Sequence, residues 1–395
     1  QWGGEVLPPH CLSWQQGTNR MKLTTTVQKS PGFFTRIIER KWIGRGMLIL
    51  LSLFVIYILA GKLIEKPTVF LQQVINGLQL GFVYALIALG YTMVYGIVRL
   101  INFAHGDVFM VGSFVSFFAI SRFGIHSWLI NLFPGIPAFL GLLVGTITVV
   151  IISMIVCAIM AFTIERIAYK PLRDAPRISL LITAIGVSFF LEYFGALNFV
   201  FTPNFISFQR PFEVTTWQLG KEGLTILQQG STVNEGSVIF SNIFIIIVLA
   251  SVFLLAVLQY VVNKTKVGKA MRAVAYDKYT ARLMGINTDA IISTTFMIGA
   301  ALAGAAGVLY AIAFPSIIFW MGIIPGLKAF VAAVLGGIGS IPGAVVGALI
   351  MGQAEVLSAA YISSPMRDAI SFSILIIVLL VRPTGIFGEA SREKA

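Results

Sequence analysis

The sequence has few of the residues that carry chemistry in metalloenzymes and small secreted proteins. Its 395 residues include two cysteines and three histidines, and charged residues make up only 11% of the chain. Cys11 and Cys157 cannot form a disulfide framework. His10, His105 and His126 are far apart, and no Cys/His cluster with metal-ligand spacing accompanies them. We therefore expect neither a catalytic metal site nor redox chemistry.

Motifs for nucleotide binding and covalent catalysis are also absent. No G-x-x-x-x-G-K-[ST] loop occurs, so the chain lacks that device for holding nucleotide phosphates. It has no G-x-S-x-G elbow, and no pair of intramembrane carboxylates suggests hydrolysis. We therefore predict a protein with no catalytic residues and no cofactor of its own.

Long apolar runs dominate the sequence. Hydrophobic residues make up 57% of the chain, and its 11% of charged residues compares with roughly 25% in soluble domains. Most of the runs could cross a bilayer core of about 30 Å. They predict an all-α, polytopic membrane helix bundle of about 8–10 spans, one or two of them broken or re-entrant. The runs are Met47–Ile64, Val69–Val98, Ile101–Ile120, Pro134–Thr163, Ile178–Phe201, Val238–Val262, Ala290–Phe314 and a glycine-broken region, Leu327–Val381.

Charges between the runs predict domain limits and topology. Residues 1–46 form a polar, basic segment, residues 47–388 the membrane domain and residues 389–395 a tail. Since the chain opens with Gln1 and Met21 offers another start, residues 1–20 are set aside as a potential artefact. The segments 165–177 and 264–287 are basic, whereas the connection 202–237 is richer in Glu. The positive-inside tendency places both termini and both basic segments in the cytoplasm.

A polar cluster opens the run at Ile101. Asn102, His105 and Asp107 lie within one short stretch of an otherwise apolar segment. Ionisable groups inside a membrane are costly and usually face the bundle interior or a cavity. The cluster could line a translocation path. It could equally be a hydrogen-bonded packing cluster in which Asn102 and Asp107 cap the helix.

The region from Gly326 to Gly352 is interrupted by glycines. A helix from Lys328 to Leu335 would span only about 12 Å, too short to cross. Broken helices at membrane depth lie within protein or beside a watery cavity, as they do in transporter sites. We predict a re-entrant or discontinuous helix whose polar residue and glycines line part of the path: Lys328, Gly336, Gly337 and Gly339. For the pairs Gly77/Gly81 and Gly343/Gly347 we favour close helix packing.

The segment 264–287 is a basic, amphipathic island between two apolar runs. Its cations are Lys264, Lys266, Lys269, Arg272, Lys278 and Arg282. It could be a docking surface for a cytoplasmic partner, or a solvated loop that only sets the topology.

Four blocks in order closely resemble the LivH-type inner-membrane permease of branched-chain amino-acid ABC importers. The blocks are Asn76–Gly112, Gly268–Asn287, Ala329–Ser364 and Val381–Gly388. The resemblance covers roughly residues 68–388. The basic leader, the first run and the long connection 202–237 depart from it.

The resemblance implies a set of partners in a bacterial or archaeal inner membrane. These are a second, LivM-type permease, two cytoplasmic ATPase subunits that bind the ATP, and an extracytoplasmic substrate-binding protein. It also makes Met271–Gly285 a short coupling helix, the counterpart of the E-A-A…G loop, although the Glu of that pattern is missing. The residues assigned to coupling are Arg272, Ala275, Asp277, Ala281 and Gly285, and Asn76 joins the candidate path residues.

Two alternatives stay open on the sequence alone. The substrate could be urea or a short amide, because similar permeases carry these as well as neutral amino acids. The chain could instead be a proton-coupled secondary transporter with His105, Asp107 and Lys328 as a relay. We expect import of branched-chain or broader neutral amino acids, because the block after Lys328 looks more like the amino-acid members.

Overall fold

The computed structural model describes residues 46, 53, 57–173, 175–220, 223–227, 236–382 and 384–388. The predicted N-terminal segment, apart from Gly46, and the tail 389–395 therefore lie outside the described residues, as does most of the predicted first span, Met47–Ile64. Residues 57–65 are helical. The later helices are α1 (Pro67–Val98), α2 (His105–Ser121), α3 (Trp128–Leu132), α4 (Ala138–Ile164), α5 (Arg177–Gly195), α6 (Asn242–Lys264), α7 (Lys266–Tyr276), α8 (Lys278–Leu283), α9 (Thr288–Ala313), α10 (Ile323–Gly336), α11 (Ile341–Tyr361) and α12 (Arg367–Val381).

The predicted all-α membrane bundle is confirmed. Six described helices are long and apolar enough to cross a membrane: α1, α4, α5, α6, α9 and α11. A seventh crossing results if α2 and residues 125–132, bent by 60°, are taken as one span. The described residues give fewer spans than the predicted 8–10 because α10 and α12 have only 14 and 15 residues.

The spans form an inner and an outer group. Buried residues make up 78% of the most apolar window of α1 and 72% of that of α9, but only about a fifth of those of α4, α5 and α6. The outer helices carry large apolar side chains on their exposed sides, such as Phe139, Phe189 and Phe253. A helix that is apolar all round and half exposed suits a lipid environment.

Short strands mark one end of the bundle. β2 (Thr216–Gly220) pairs antiparallel with β3 (Gly223–Leu227) and with β4 (Val238–Ser241), and β1 (Ile206–Ser207) pairs with β5 (Ser316–Ile317). The Ile239 N–H donates to Gln72 Oε1 at 2.8 Å, which joins this sheet to the first turns of α1. We call this end the sheet face. α6, 23 residues or about 35 Å long, leads from β4 to α7 and α8 at the opposite end, the basic face.

Two half-length helices begin inside the bundle. The His105 ring at the start of α2 contacts Gly90, eight residues before α1 ends at Val98, so α2 begins about 12 Å inside that end. The first turn of α10 packs against the same place, since a Cβ at Gly326 would lie 2.8 Å from the Gly106 Cα. From this meeting point α2 runs toward the sheet face and α10 toward the basic face.

The predicted break after α10 is confirmed, although α10 starts at Ile323 rather than near Lys328. The helix ends where Gly337 takes a φ of +106°, which favours glycine, and the Ser340 hydroxyl caps α11. The N–H groups of Ile386 and Phe387 donate to the last carbonyls of α10, those of Leu335 and Gly336, each at 2.9 Å.

Candidate translocation cavities and docking surface

A cavity of about 180 Å³ lies at the meeting point of α2, α5 and α10. We call it the acidic cavity because it contains two carboxylates and no cationic side chain among its lining residues. These are Tyr91, Phe103, Gly106, Asp107, Ile185, Ser188, Phe189, Glu192, Gly322, Ile323, Gly326 and Leu327. Three of them are glycines where α2 meets α10, so backbone rather than side chains forms that wall.

Asp107 is nearly inaccessible, with 1% of its surface exposed. The Ser188 hydroxyl donates to Asp107 Oδ2, and Oδ1 has no hydrogen-bond partner in the described part of the chain. Asp107 and Asn102 do not cap α2, whose cap residue, Ala104, offers no side-chain acceptor. The helix-capping interpretation was therefore wrong, and Asp107 belongs to a cavity.

Glu192 is the residue that sequence reasoning missed. It is 5% exposed and comes from α5, 85 positions after Asp107. The expectation of no paired intramembrane carboxylates was therefore wrong, because the pair forms between helices and not within one. A lone Glu inside the apolar run Ile178–Phe201 was the available signal.

Asn102 and His105 have structural contacts. The Tyr169 hydroxyl donates to Asn102 Oδ1 at 2.7 Å, which ties the turn before α2 to the π-helical turn Glu165–Tyr169 that follows α4. The His105 ring packs edge-on against Tyr91, with centroids 4.8 Å apart. For these two residues the packing interpretation has the better support.

A second, larger cavity of about 390 Å³ opens between α1, α11 and α12. It is lined by Gln73, Asn76, Gln79, Leu80, Phe314, Glu355, Val356, Ala359, Ala360 and Arg367. Asn76 is exposed here. The candidate path residues Asn76 and Asp107 thus lie in different cavities.

Lys328 lines neither cavity, because its ammonium group is enclosed by anions. Its Nζ lies 2.7 Å from Glu355 Oε1 and 2.6 Å from Asp368 Oδ1. The Tyr84 hydroxyl donates to the other Glu355 oxygen at 2.9 Å. Gly336, Gly337 and Gly339 lie in the turn at the basic face and also line neither cavity.

The basic island 264–287 folds as two helices, not as the single helix predicted for 271–285. The break falls at Asp277, which is extended (φ −154°, ψ 112°) and caps α8 by accepting the Tyr279 N–H at 2.8 Å. Gly285 follows α8 with a φ of +81°. An Asp that caps a new helix ends the preceding one, and this explains the difference.

One side of this helical hairpin is anchored and the other exposed. Met271, Val274 and Ala281 are buried, and the Arg272 guanidinium donates to the Val262 carbonyl at the end of α6. Among the assigned coupling residues, Ala275 is half-buried and Arg272, Asp277 and Gly285 are exposed. The hairpin also exposes large side chains, which we call the hairpin patch: Tyr276, Tyr279, Leu283 and Met284.

Within the described residues, no group of three or more His, Cys, Asp or Glu side chains could hold a metal ion. Cys157 is buried with a free thiol. The arrangement offers polar cavities and a docking surface.

A helical bundle with half-length helices that meet in its interior, a cavity at that meeting point and an exposed basic hairpin is an architecture typical of membrane transport permeases. The chain belongs to the family described as the permease component of the branched-chain amino acid transport system, which matches residues 73–379. The chain is therefore a multi-pass membrane protein and a transport component. The predicted resemblance is confirmed.

Relatives of known function match over almost their whole length. The high-affinity branched-chain amino acid transport system permease protein LivH of Salmonella typhimurium is 44% identical over 334 residues, 84% of this chain and 99% of LivH. LivH of Escherichia coli is 42% identical over 343 residues, with the same shares covered. The corresponding protein BraD of Pseudomonas aeruginosa is 40% identical over 333 residues, 82% of this chain and 98% of BraD. No solved structure matches the chain.

Proposed function

We propose that the chain is the permease subunit of an ATP-driven importer for branched-chain amino acids, or for a broader set of neutral ones. The observation that carries this proposal is the similarity to LivH and BraD over 98–99% of their lengths. The chain would form half of the translocation path, and a second, LivM-type permease the other half. Because the sequence has no phosphate-binding loop, separate ATPase subunits would bind and hydrolyse the ATP.

The basic face is the proposed cytoplasmic side of an inner membrane, with both chain termini on that side. Its cations follow the positive-inside tendency. Two ATPase subunits would dock on this side, one of them on the hairpin patch, since exposed aromatic and aliphatic residues are typical of interfaces. The sheet face would then receive substrate from an extracytoplasmic binding protein. No cofactor is needed for these roles.

The candidate path runs through both cavities. Asn76 lines the wider one near the sheet face, and Asp107 lines the acidic cavity deep in the bundle. Lys328 and the glycines at the end of α10 would contribute by holding a half-length helix in place. Discontinuous helices of this kind bound many transport sites.

The decisive test is uptake of radiolabelled leucine, alanine and urea by cells that lack this chain and its partners. Uptake by these cells is compared with uptake by cells in which the genes for the chain and all its partners have been restored. Each measurement is made first with the proton gradient intact and then with the gradient collapsed while ATP is maintained. We expect leucine uptake that depends on the chain and survives collapse of the gradient.

Two results would contradict the proposal. Uptake lost with the gradient despite ample ATP would identify a proton-coupled secondary transporter. Restoration of urea uptake alone would assign the chain to the urea and amide branch. Purified without its partners, the chain should hydrolyse no ATP.

A further inference from the structure

Four carboxylates are buried in the described part of the chain, and they fall into two classes. Glu165 is paired with Arg173, and Glu355 with Lys328. Asp107 and Glu192 form no ion pair with a cationic side chain in the part of the chain that the structure describes, and both line the acidic cavity. Asp107 also leaves its Oδ1 without a hydrogen-bond partner in the described residues.

Two carboxyl groups that line one membrane-depth cavity without a cationic side chain either share a proton or, if both are ionised, need a compensating cation. Removing a carboxylate from water costs several kcal/mol unless a cation or several hydrogen bonds replace the water. The first turn of α2 offsets part of this, because Asp107 lies at the positive end of that helix. The neighbouring Glu192 lies on another helix and lacks this help. The cavity is therefore suited to a cation that comes from outside the chain.

The rest of the cavity restricts what that cation can be. Apolar side chains line the rest of the cavity, and three of them, Ile185, Phe189 and Ile323, are partly exposed at its outer side; the other two are Phe103 and Leu327. At about 180 Å³ the cavity is smaller than the roughly 300–1,000 Å³ of sites for drug-sized ligands. One ammonium group on a small aliphatic body matches both the acidic and the apolar surfaces.

We infer that the acidic cavity binds the α-ammonium group of the transported amino acid, with Asp107 and Glu192 accepting its N–H groups. Ser188 holds Asp107 in position through its hydroxyl. This inference rests on the proposed function, since it assigns one group of the proposed substrate to a place on the path. The apolar walls would contact the aliphatic side chain.

The first experiment measures the charge preference of the cavity by thiol labelling in the reconstituted complex. Ile185→Cys places a thiol on the cavity wall without touching either carboxylate, and Cys11→Ser and Cys157→Ser remove the native thiols. We expect a cationic methanethiosulfonate to react about tenfold faster than an anionic one, after each rate is divided by that for a free thiol. The preference should fall toward one when Asp107→Asn and Glu192→Gln are added. Equal corrected rates with both carboxylates present would overturn the inference.

The second experiment identifies the cation by protection of the same thiol. Leucine should slow the labelling, and 4-methylpentanoate, which has the same carbon skeleton without the amine, should not. Sodium chloride at the leucine concentration should leave the rate unchanged. Equal protection by 4-methylpentanoate, or protection by sodium and not by leucine, would overturn the assignment of an ammonium site.

The third experiment is leucine uptake by the complex with single variants. Glu192→Gln should lower uptake about tenfold at equal membrane abundance, and Glu192→Asp should restore part of it. Tyr193→Phe, at the adjacent exposed position of α5, is the matched control and should leave uptake unchanged. Normal uptake by Glu192→Gln would contradict the inference and leave the proposed function intact. A wild-type complex that imports no leucine would instead contradict the proposed function itself.

Discussion

Lys328 shows how one charged side chain is accommodated inside an apolar bundle. Its Nζ contacts Glu355 and Asp368, and Glu355 in turn accepts from Tyr84. The cluster draws on α1, α10, α11 and α12, so it joins a half-length helix to three neighbours. Both anionic partners of Lys328 lie outside the acidic cavity, which Asp107 lines. Among the described residues no direct hydrogen bond joins any two of the three proposed relay residues, His105, Asp107 and Lys328.

Removing this lysine should destabilise the fold. Lys328→Met leaves the buried Glu355 with only its longer ion pair to the exposed Arg367, at 3.7 Å, and loss of one partner of a buried pair typically costs about 3–5 kcal/mol. We expect a clearly lower Tm for the purified protein in detergent. The matched control is Lys62→Met, which removes an exposed pair with Glu65 and should leave the Tm unchanged. Equal Tm values for the two variants would show that the buried cluster contributes little.

At the scale of elements, glycines set how closely the helices approach. A Cβ on Gly112 of α2 would lie 2.7 Å from the Gly304 Cα of α9, and one on Gly81 of α1 would lie 3.0 Å from the Leu349 Cα of α11. A Cβ on Gly77 would lie 2.6 Å from the Gln353 side chain, so both glycines of the pair Gly77/Gly81 pack against α11, as predicted. Backbone contacts of this kind are a common route to tight helix association in membranes.

Gly112→Ala should therefore weaken the α2–α9 contact. The added methyl has no space against the Gly304 backbone, and overpacking of this sort costs about 1–3 kcal/mol. The measurement is the thermal unfolding of the purified variant. Gly186→Ala in α5 is the control, because a Cβ there meets nothing within 4 Å and alanine favours the helix. The expectation fails if Gly112→Ala is as stable as Gly186→Ala.

The hairpin of α7 and α8 gives a prediction about coupling. Leu283 is 70% exposed in the hairpin patch, and Leu283→Ala should lower substrate-stimulated ATPase activity of the reconstituted complex about five- to tenfold. Leu249→Ala, 65% exposed on α6, removes a similar side chain away from the hairpin and should have no effect. Gly285→Trp is a less direct test, because its φ of +81° would strain any other residue. Unchanged stimulation in Leu283→Ala would remove the patch from the proposed interface.

At the scale of the whole molecule, the sequence predicted the features that depend on local pattern. Apolar length predicted the spans, and Gly337 with Gly339 predicted the break after α10. The pairing of Asp107 with Glu192, and of Lys328 with Glu355, depends on how distant helices pack. The spacing of residues along one sequence does not show which side chains on different helices lie close together. Glu192 and Glu355 were therefore missed as partners. The division of the basic island at Asp277 was also missed. In so short a segment the apolar pattern continues across Asp277, although this residue ends α7 and caps α8.

The orientation of the molecule in the membrane can be tested by labelling from one side. Leu224→Cys on β3 of the sheet face and Met284→Cys in the hairpin patch both replace well-exposed residues. An impermeant maleimide should label Leu224→Cys in spheroplasts and Met284→Cys only after permeabilisation. The unaltered chain, whose Cys157 is buried, serves as the control for background labelling. The reverse pattern would invert the proposed topology.

The capping of α10 by Ile386 and Phe387 has a consequence for biosynthesis. The carbonyls of Leu335 and Gly336 are made about fifty residues before the amides that satisfy them, with α11 and α12 in between. At roughly 5–20 residues per second, translation takes about 3–10 s to cover that distance. During this interval the end of the half-length helix has two open acceptors, which water or the insertion machinery must satisfy. The inner element of the proposed path is therefore completed only after both later helices have been synthesised.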